Sequence, residues 1–294
     1  MTAASSPLTP NAAAPVALAW TDLLAKRRPF GASGQMPLVM GILNVTPDSF
    51  SDGGRFIAPE KAIAHARKMI AQGADLIDLG AESTRPYGDA LPVSADEEIA
   101  RLSPVLPAVA ELGVPMSIDT MKAKVADWAL AHGANIINDV WGLQRDPDMA
   151  KVARAHGAPV VAMHNRDSAD DTRDIMADMD EFFVRTLARA DEAGIARAQM
   201  MLDPGIGFGK TPRQSLIALA RWTELTHHGL PFLIGASRKR FIATVTPSEP
   251  QDRIGGSLAA HLLAARKGAA IVRVHDVAQT VQALRVHAAI EEQS

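Results

Sequence analysis

The chain has 294 residues, of which 47% are hydrophobic and 21% are charged, and its formal net charge is −3. A globular chain of this size can bury a core without metal or disulfide staples. The absence of cysteine excludes thiol catalysis, cysteine-ligated metals and disulfides, and it fits a reducing, cytoplasmic location. The sequence has no basic stripe and no apolar run of roughly 20 residues, so we expect neither nucleic acid nor a membrane as a partner.

The first 36 residues are rich in Ala, Pro and Ser, and they lack the continuous apolar core of a secretory signal. Such a composition favours a flexible or loosely docked segment. We therefore predict a flexible N-terminal extension over residues 1–36, followed by one folded domain over residues 37–294.

Short apolar runs alternate with helical patterns from residue 38 onwards, and each run fits a fully buried strand. The predicted strands are Leu38–Leu43, Leu76–Leu79, Met116–Ile118, Ile136–Ile137, Val160–Met163, Met200–Leu202, Phe232–Ile234 and Ile271–Val274. Glycine closes seven of the helical stretches, where a left-handed residue often follows a helix end. These glycines are Gly73, Gly113, Gly133, Gly157, Gly194, Gly229 and Gly268.

Eight strand-then-helix units predict an α/β fold with a parallel sheet, and their number and total length match a closed (β/α)8 barrel. A doubly wound open sheet is the alternative. The first strand is not followed by Gly-x-Gly-x-x-Gly, so nothing in the sequence supports a dinucleotide-binding version of that alternative.

Polar residues follow most of the predicted strands, at the barrel rim where active sites of this fold lie. Asp119, Asn138 and Asp203 stand at such ends, and together they can read the polar edge of a flat heterocycle. An Asp or Asn at a strand end is also a common N-cap of the next helix. Asp78 lies inside a strand and fits a paired structural carboxylate. The Gly-rich stretch before Lys210 lacks the spacing of a phosphate-binding P-loop.

A second group of rim residues comes from the first and last strands, which are neighbours in a closed barrel. Asn44, Arg273 and His275 can hold an anion there, and the amide oxygen of Asn44 can ligate a hard cation. Long loops rich in Gly, Pro and Ser follow the first two strands, as lids and substrate-binding loops often do.

Two long motifs begin within the first two predicted strands and extend beyond them, GILNVTPDSFSDGG at residues 41–54 and DLGAESTRP at residues 78–86. They resemble the first and second signatures of bacterial dihydropteroate synthases. Shorter matches follow in barrel order at residues 117–120, 138–140, 203–210, 237–239 and 273–276. The resemblance covers about residues 37–290. Two departures from the family pattern are Arg240, where many relatives have Ser, and the acidic segment 165–171.

The resemblance implies condensation of 7,8-dihydropterin-6-ylmethyl diphosphate with 4-aminobenzoate, in folate biosynthesis, by a Mg²⁺-dependent transferase that sulfonamides inhibit. It implies a pterin site of Asp119, Asn138, Met163, Asp203, Gly235 and Lys239. It implies a diphosphate site of Asn44, Arg273 and His275, with Asn44 as the metal ligand. It implies an aminobenzoate site of Phe50, Thr84, Arg85, Pro86, Phe208, Lys239 and Arg240. The residues expected to act in catalysis are Asn44, Asp119, Asp203, Lys239, Arg273 and His275. The family also implies a homodimer.

Two other functions remain open at this point. A methyltetrahydrofolate-dependent methyltransferase domain with a corrinoid partner would share the pterin acids, but it would not need the two loop signatures or the anion site. A catalytically silent homologue would only bind pterin or regulate a partner. Release of pyrophosphate distinguishes a synthase from both.

Overall fold

The computed structural model describes residues 18–31, 34–45, 57–81 and 93–293. The strands are β1 (Leu38–Asn44), β2 (Leu76–Gly80), β3 (Met116–Asp119), β4 (Ile136–Asp139), β5 (Val160–Met163), β6 (Met200–Asp203), β7 (Leu233–Ile234) and β8 (Ile271–Val274). All eight predicted strands are therefore present. Four of them, β1, β3, β4 and β6, continue through the polar residues that follow the apolar run, because a parallel ladder is made by the backbone and tolerates any side chain whose polar atoms find partners.

The helices lie between the strands and around them. They are α1 (Trp20–Leu24), α2 (Ile57–Ala71), α3 (Ala95–Leu102), α4 (Leu106–Ala110), α5 (Ala123–Ala131), α6 (Met149–His156), α7 (Ile175–Glu192), α8 (Pro212–Arg221), α9 (Arg240–Val245), α10 (Ile254–Arg266) and α11 (Val277–Glu291). Short 3-10 helices cover Arg197–Gln199, Trp222–His228 and Pro250–Asp252. In the described ranges, no helix has the length and apolar character needed to cross a bilayer.

The sheet closes on itself. Its strands are parallel and run in the order β6-β5-β4-β3-β2-β1-β8-β7, so β1 pairs with both β2 and β8. A parallel bridge from Leu202 to Phe232 joins the two remaining edges. The predicted (β/α)8 barrel is confirmed, and the open sheet is excluded because its edge strands meet.

The glycines that punctuate the sequence have the backbone conformation that the prediction requires. All seven have positive φ, between 61° at Gly157 and 115° at Gly133. A left-handed residue at this position lets the chain leave the helix and turn back towards the next strand. The positions of these glycines in the sequence therefore indicate where each helix of the βα repeat ends.

The N-terminal segment differs from the sequence prediction. Residues 20–24 form α1, and Trp20 and Leu23 are buried against apolar residues of the strands at the amino-terminal end of the barrel. Trp20 Nε1 donates to the carbonyl oxygen of Gln199 at 3.0 Å. The predicted flexible extension is wrong for residues 18–31, since this short stretch supplies large apolar side chains that the open barrel end buries. Residues 1–17 lie outside the described part.

Candidate active site

The predicted site residues share one face of the strands. Successive side chains of a strand alternate between the barrel interior and its helical exterior. Asp203 stands two residues beyond Met201, which belongs to the apolar cluster that contains Trp20. The same spacing relates Asn138 to Ile136 and Arg273 to Ile271. The polar groups therefore form the next interior layer of side chains. It lies beside the apolar cluster that contains Trp20, towards the carboxyl ends of the strands.

Arg273 organises the floor of this pocket. Its Nε donates to Asp78 Oδ2 at 2.6 Å, and its Nη2 donates to Asp119 Oδ2 at 2.7 Å. Ser117 Oγ donates to Asp78 Oδ1, and Asn138 Nδ2 donates to both carboxylate oxygens of Asp78 at 3.2 and 3.3 Å. Burial lowers the pKa of Arg273, but Asp78 and Asp119 outweigh that effect and raise it. The interpretation of Asp78 as a paired structural carboxylate is confirmed.

Asp119 has one unused oxygen. Its Oδ1 is buried and has no hydrogen-bond partner among the described residues. Burial raises the pKa of the Asp119 carboxyl to about 7, although the positive charge of Arg273 opposes that shift. A buried carboxylate oxygen without a partner is costly, so it favours a ligand that brings an N–H donor.

Asp203, Lys239 and Gly235 surround a second part of the pocket. Asp203 Oδ1 accepts a hydrogen bond from the backbone N–H of Gly205 at 2.7 Å. A Cβ on Gly235 would lie 3.8 Å from Lys239 Nζ, 4.0 Å from Asp203 Oδ2 and 3.8 Å from Arg273 Cβ. Glycine at position 235 therefore keeps open the space between an acid and two cations. Burial raises the pKa of Asp203 and lowers that of Lys239 to about 8.

The loop after β7 orients Lys239. Arg238 adopts a left-handed conformation, with φ of 57°, which is uncommon for a residue other than glycine. Its side chain donates twice to the carboxylate of Asp276, from Nε at 2.9 Å and from Nη2. The preceding Ser237 Oγ lies 3.0 Å from His275 Nδ1. This turn ties the loop to the segment after β8 and sends Lys239 into the pocket, where its Nζ donates to the Ile206 carbonyl oxygen.

Asn44 and His275 lie at the rim beside this pocket. Asn44 ends β1, and its Oδ1 lies 3.8 Å from the position that a Cβ on Gly80 would take, with Asp119 Cβ 3.4 Å from the same position. His275 follows β8, two residues after Arg273. Both side chains are partly exposed. The predicted anion residues thus lie on neighbouring strands, although two nitrogens of Arg273 are occupied by carboxylates.

The wall of the pocket includes Met163 and Phe208. Met163 pairs with Asp203 across β5 and β6, and it is buried. Lys239 Nζ stands 4.6 Å from the centroid of the Phe208 ring. Arg240 begins α9 and is exposed. The other predicted aminobenzoate residues lie outside the described residues: Phe50, Thr84, Arg85 and Pro86.

Sequence reasoning missed a buried polar network beneath the loop that carries Phe208. Lys210 Nζ donates to His164 Nδ1 at 2.6 Å and to the carbonyl oxygens of Gly205 and Phe208 at 3.0 and 3.1 Å. His164 Nε2 lies 3.0 Å from Asp178 Oδ2. Burial lowers the pKa of His164 to about 3, so the ring is neutral, donates to Asp178 from Nε2 and accepts from Lys210 at Nδ1.

Lys210 Nζ also lies 3.5 Å from the His164 carbonyl oxygen, and the three shorter contacts alone require three N–H donors. The contacts therefore fit the ammonium form, although burial lowers the pKa of Lys210. The side chain is fully buried and holds the glycine-rich turn in place, in which Gly205, Gly207 and Gly209 all have positive φ. A signal was present in the sequence, since a lysine that directly follows such a turn has backbone carbonyls within reach.

The segment after His164, which departs from the family pattern, braces this turn from outside. Arg166 Nε donates to the Gly209 carbonyl oxygen at 2.8 Å, and Thr211 Oγ1 donates to Asp171 Oδ1 at 2.8 Å. Gln214 Nε2 donates to the Asp170 carbonyl oxygen at 2.6 Å. The segment thus joins the loops after β5 and β6 through the side chains of Arg166 and Asp171 and the backbone of Asp170.

Comparison with known proteins agrees with this pocket. The family model of pterin-binding enzymes matches residues 40–275. Dihydropteroate synthase of Bacillus subtilis is 49% identical over 243 residues, which cover 82% of this chain and 84% of that protein. Two solved structures of the Xanthomonas albilineans dihydropteroate synthase cover 87% of this chain.

The first Xanthomonas structure, with 4-aminobenzoic acid, has a TM-score of 0.83 at 44% identity, and 93% of its chain is covered. The second, in complex with 7,8-dihydropteroate, has a TM-score of 0.80 at 42% identity and 94% coverage. The family match runs from β1 to His275, directly after β8. The chain therefore belongs to the dihydropteroate synthase family of pterin-binding enzymes.

Proposed function

We propose that this chain, a transferase of folate biosynthesis, condenses 7,8-dihydropterin-6-ylmethyl diphosphate with 4-aminobenzoate to 7,8-dihydropteroate and pyrophosphate. The observation that carries the proposal is the unpartnered, buried Oδ1 of Asp119, in a pocket that also presents Asp203, Asn138 and Lys239. The carboxylates of Asp119 and Asp203 accept hydrogen bonds, and the side chains of Asn138 and Lys239 donate them. This combination matches the edge of a pterin, which carries both N–H and C=O groups. The Xanthomonas structures with 4-aminobenzoic acid and 7,8-dihydropteroate support the same pair of substrates.

The pterin would lie across the pocket floor. Asp119 Oδ1 and Asp203 Oδ2 accept from its N–H groups, and Lys239 donates to a ring acceptor. Gly235 gives the ring room, since a side chain there would approach Lys239 Nζ and Asp203 within about 4 Å. Met163 covers one face of the ring. These buried groups replace water as hydrogen-bond partners, which makes recognition specific.

The diphosphate would lie at the rim, next to Asn44 and His275, with Arg273 below it. Asn44 fits a Mg²⁺ site because its amide oxygen is a hard ligand at a partly exposed position, beside a glycine that leaves space. When bound, Mg²⁺ would supply positive charge that stabilises the diphosphate as it leaves. Arg273 contributes a fixed positive charge, whose orientation Asp78 and Asp119 set.

The aminobenzoate would bind against Phe208 and Lys239. The Phe208 ring packs flat against an aromatic substrate, and the ammonium group 4.6 Å from its centroid attracts a carboxylate nearby. By the family resemblance, Phe50, Thr84, Arg85 and Pro86 would complete this pocket, and Arg240 would add a second cation. A sulfonamide, with an aniline and a sulfonyl group, would compete for this space.

In the reaction, the arylamine nitrogen forms a bond to the pterin methylene carbon, and the C–O bond to the diphosphate breaks. The amine then loses one proton to water. An arylamine is already nucleophilic, so no strong general base is needed. The residues of the chain act by orienting the two substrates and by stabilising the leaving charge, while closure around them keeps water from the methylene carbon.

A pyrophosphate-release assay with both substrates tests the proposal. Wild-type protein with Mg²⁺ should release pyrophosphate only when aminobenzoate is also present. Asp203→Ala should lose about 5- to 150-fold in pterin affinity by calorimetry, since one unpaired buried donor costs about 1–3 kcal/mol. Methyl transfer from methyltetrahydrofolate without pyrophosphate release would instead support the methyltransferase alternative.

We also propose a homodimer, on the family resemblance alone. Light scattering coupled to size exclusion should give twice the chain mass of 31.2 kDa. A mass of one chain across the concentration range would contradict it.

A further inference from the structure

A cluster of two histidines and one aspartate lies on the outer surface of the barrel, away from the pocket. Asp180 is on α7, and His227 and His228 end the 3-10 helix that precedes β7. The Nε2 atoms of His227 and His228 lie 2.9 and 2.8 Å from the same atom, Asp180 Oδ1. The His228 side chain is 8% exposed, while Asp180 and His227 are about half exposed. The three donor atoms therefore converge on a point that is open to solvent on one side.

The hydrogen bonds of His227 decide what can occupy that point. His227 Nδ1 lies 2.7 Å from the carbonyl oxygen of Glu224, which can only accept, so Nδ1 carries a hydrogen. In the neutral ring, Nε2 then directs a lone pair at Asp180 Oδ1, which is also an acceptor. Two acceptors at 2.9 Å repel each other unless a cation, either a second proton or a metal ion, lies between them.

A second imidazole ring lies against His227, so protonation of both rings is unfavourable. The two rings are close, with centroids 4.3 Å apart, and His228 packs edge-on against Phe183 at 6.0 Å. Two imidazolium rings at this separation would repel each other. One divalent ion bound by both neutral rings satisfies all three donor atoms at once.

The geometry is close to that of a known class of site. Ligands of tetrahedral zinc, at about 2.0–2.1 Å from the ion, are separated from one another by about 3.3 Å. The observed separations of 2.8 and 2.9 Å need to open by only about half an ångström, which exposed side chains allow. Two imidazoles and one carboxylate are a common ligand set for zinc, and a backbone carbonyl that fixes the ring tautomer is the usual outer partner.

We propose that Asp180, His227 and His228 form a binding site for one divalent transition-metal ion, with water completing the coordination sphere. The ion would join α7 to the 3-10 helix before β7 and so stabilise the barrel wall. The site is independent of the proposed catalytic function, because it shares no residue with the pocket and its ligands are nitrogen-rich, unlike a Mg²⁺ site.

Calorimetric titration of metal-free protein with Zn²⁺ tests the proposal, using the full chain at pH 7.5. Wild-type protein should bind Zn²⁺ at this site and release protons, and its thermal midpoint should rise by on the order of 3 °C at tenfold excess over the dissociation constant. His227→Gln removes one ligand at an exposed position that does not threaten folding, and it should weaken this binding at least tenfold. Asp180→Asn should do the same.

His156→Gln is the matched control. His156 Nε2 also contacts a carboxylate oxygen, Asp127 Oδ1 at 2.7 Å, but as one histidine with one acid. Its Zn²⁺ binding and thermal shift should equal those of wild type. Failure of the wild type to bind Zn²⁺, or equal Zn²⁺ affinity in His227→Gln, would overturn the proposal. Pyrophosphate release with Mg²⁺ should be unchanged in His227→Gln, which keeps this test separate from the catalytic one.

Discussion

At the amino-terminal end of the barrel, the inward side chains are apolar, and Trp20 packs against them. Two residues further along the same strands, the inward positions hold charge: Met201 is followed by Asp203, and Ile271 by Arg273. Both layers are buried. The apolar layer is complete through packing and the hydrogen bond of Trp20, whereas the charged layer leaves Asp119 Oδ1 without a partner among the described residues. Both ends of the barrel therefore contribute to stability, but only the charged end holds a hydrogen-bond acceptor that a ligand can satisfy.

The largest effect should come from breaking the charged layer. Arg273→Met leaves two buried carboxylates, Asp78 and Asp119, without their cation. We expect a loss of about 3–5 kcal/mol in the free energy of unfolding and no detectable pyrophosphate release. Urea denaturation and the release assay measure the two effects. Arg145→Met, whose partner Asp167 is exposed, is the control and should change stability by under about 0.5 kcal/mol. Equal losses in both variants would contradict this prediction.

A similar loss of stability, without loss of function, should follow from breaking the apolar layer. Trp20→Ala removes a side chain that is 1% exposed, together with its hydrogen bond to Gln199. We expect a loss of about 3 kcal/mol in the free energy of unfolding. Turnover and both KM values, measured per folded molecule, should stay those of the wild type. A parallel fall in pterin affinity would show that the two ends do not act separately.

The loop beside the charged layer allows a sharper test. Lys210→Met keeps the volume of the side chain but removes the donors to Gly205 and Phe208. We expect the KM for aminobenzoate to rise about 10- to 100-fold, or roughly 1.4–2.8 kcal/mol, because the turn that carries Phe208 loses its anchor. The KM for the pterin should change less. Lys151→Met, at an exposed ion pair with Asp148, is the control. Equal changes in both KM values would show that Lys210 does not act through the turn that carries Phe208.

The smallest effect concerns the protonation of the charged layer. The pKa of Asp119 is raised from 3.8 to about 7, so its contribution to stability is fully present below pH 3.8 and is lost as the pH rises through about 7. Asp119→Asn carries no such charge. Between pH 6 and 8, its free energy of unfolding should therefore rise by up to about 1 kcal/mol relative to that of the wild type. Thermal midpoints of both proteins measure this gain. A difference that stays constant with pH would show that Asp119 titrates outside this window.

The sequence predicted the barrel because two local signals coincide, namely buried apolar runs and left-handed glycines such as Gly133 and Gly157. It also located most of the pocket, since the carboxyl end of a strand is a local property once the fold is known. Asp203 and Asn138 were found in this way. The spacing of two residues from an apolar interior position would have placed Asp78 in the same layer.

The sequence could not predict contacts between distant residues. Arg273 meets Asp78 across 195 residues, and Lys210 meets His164 across 46. Which of several polar residues pair is decided by the three-dimensional arrangement of the loops, and no periodicity reports it. The docking of α1 was missed for the same reason, because a single turn of helix with one tryptophan has no pattern to detect.

The position of α1 has a consequence for the order in which the molecule is completed. Trp20 leaves the ribosome well before its partner Gln199, which is made 179 residues later, and Leu233 and Ile271 of the same cluster follow later still. Local βα units form as they emerge, whereas α1 has no complete surface to dock on until β8 is in place. The helix α1 is thus among the last elements to find its place, and its burial marks a barrel that has closed.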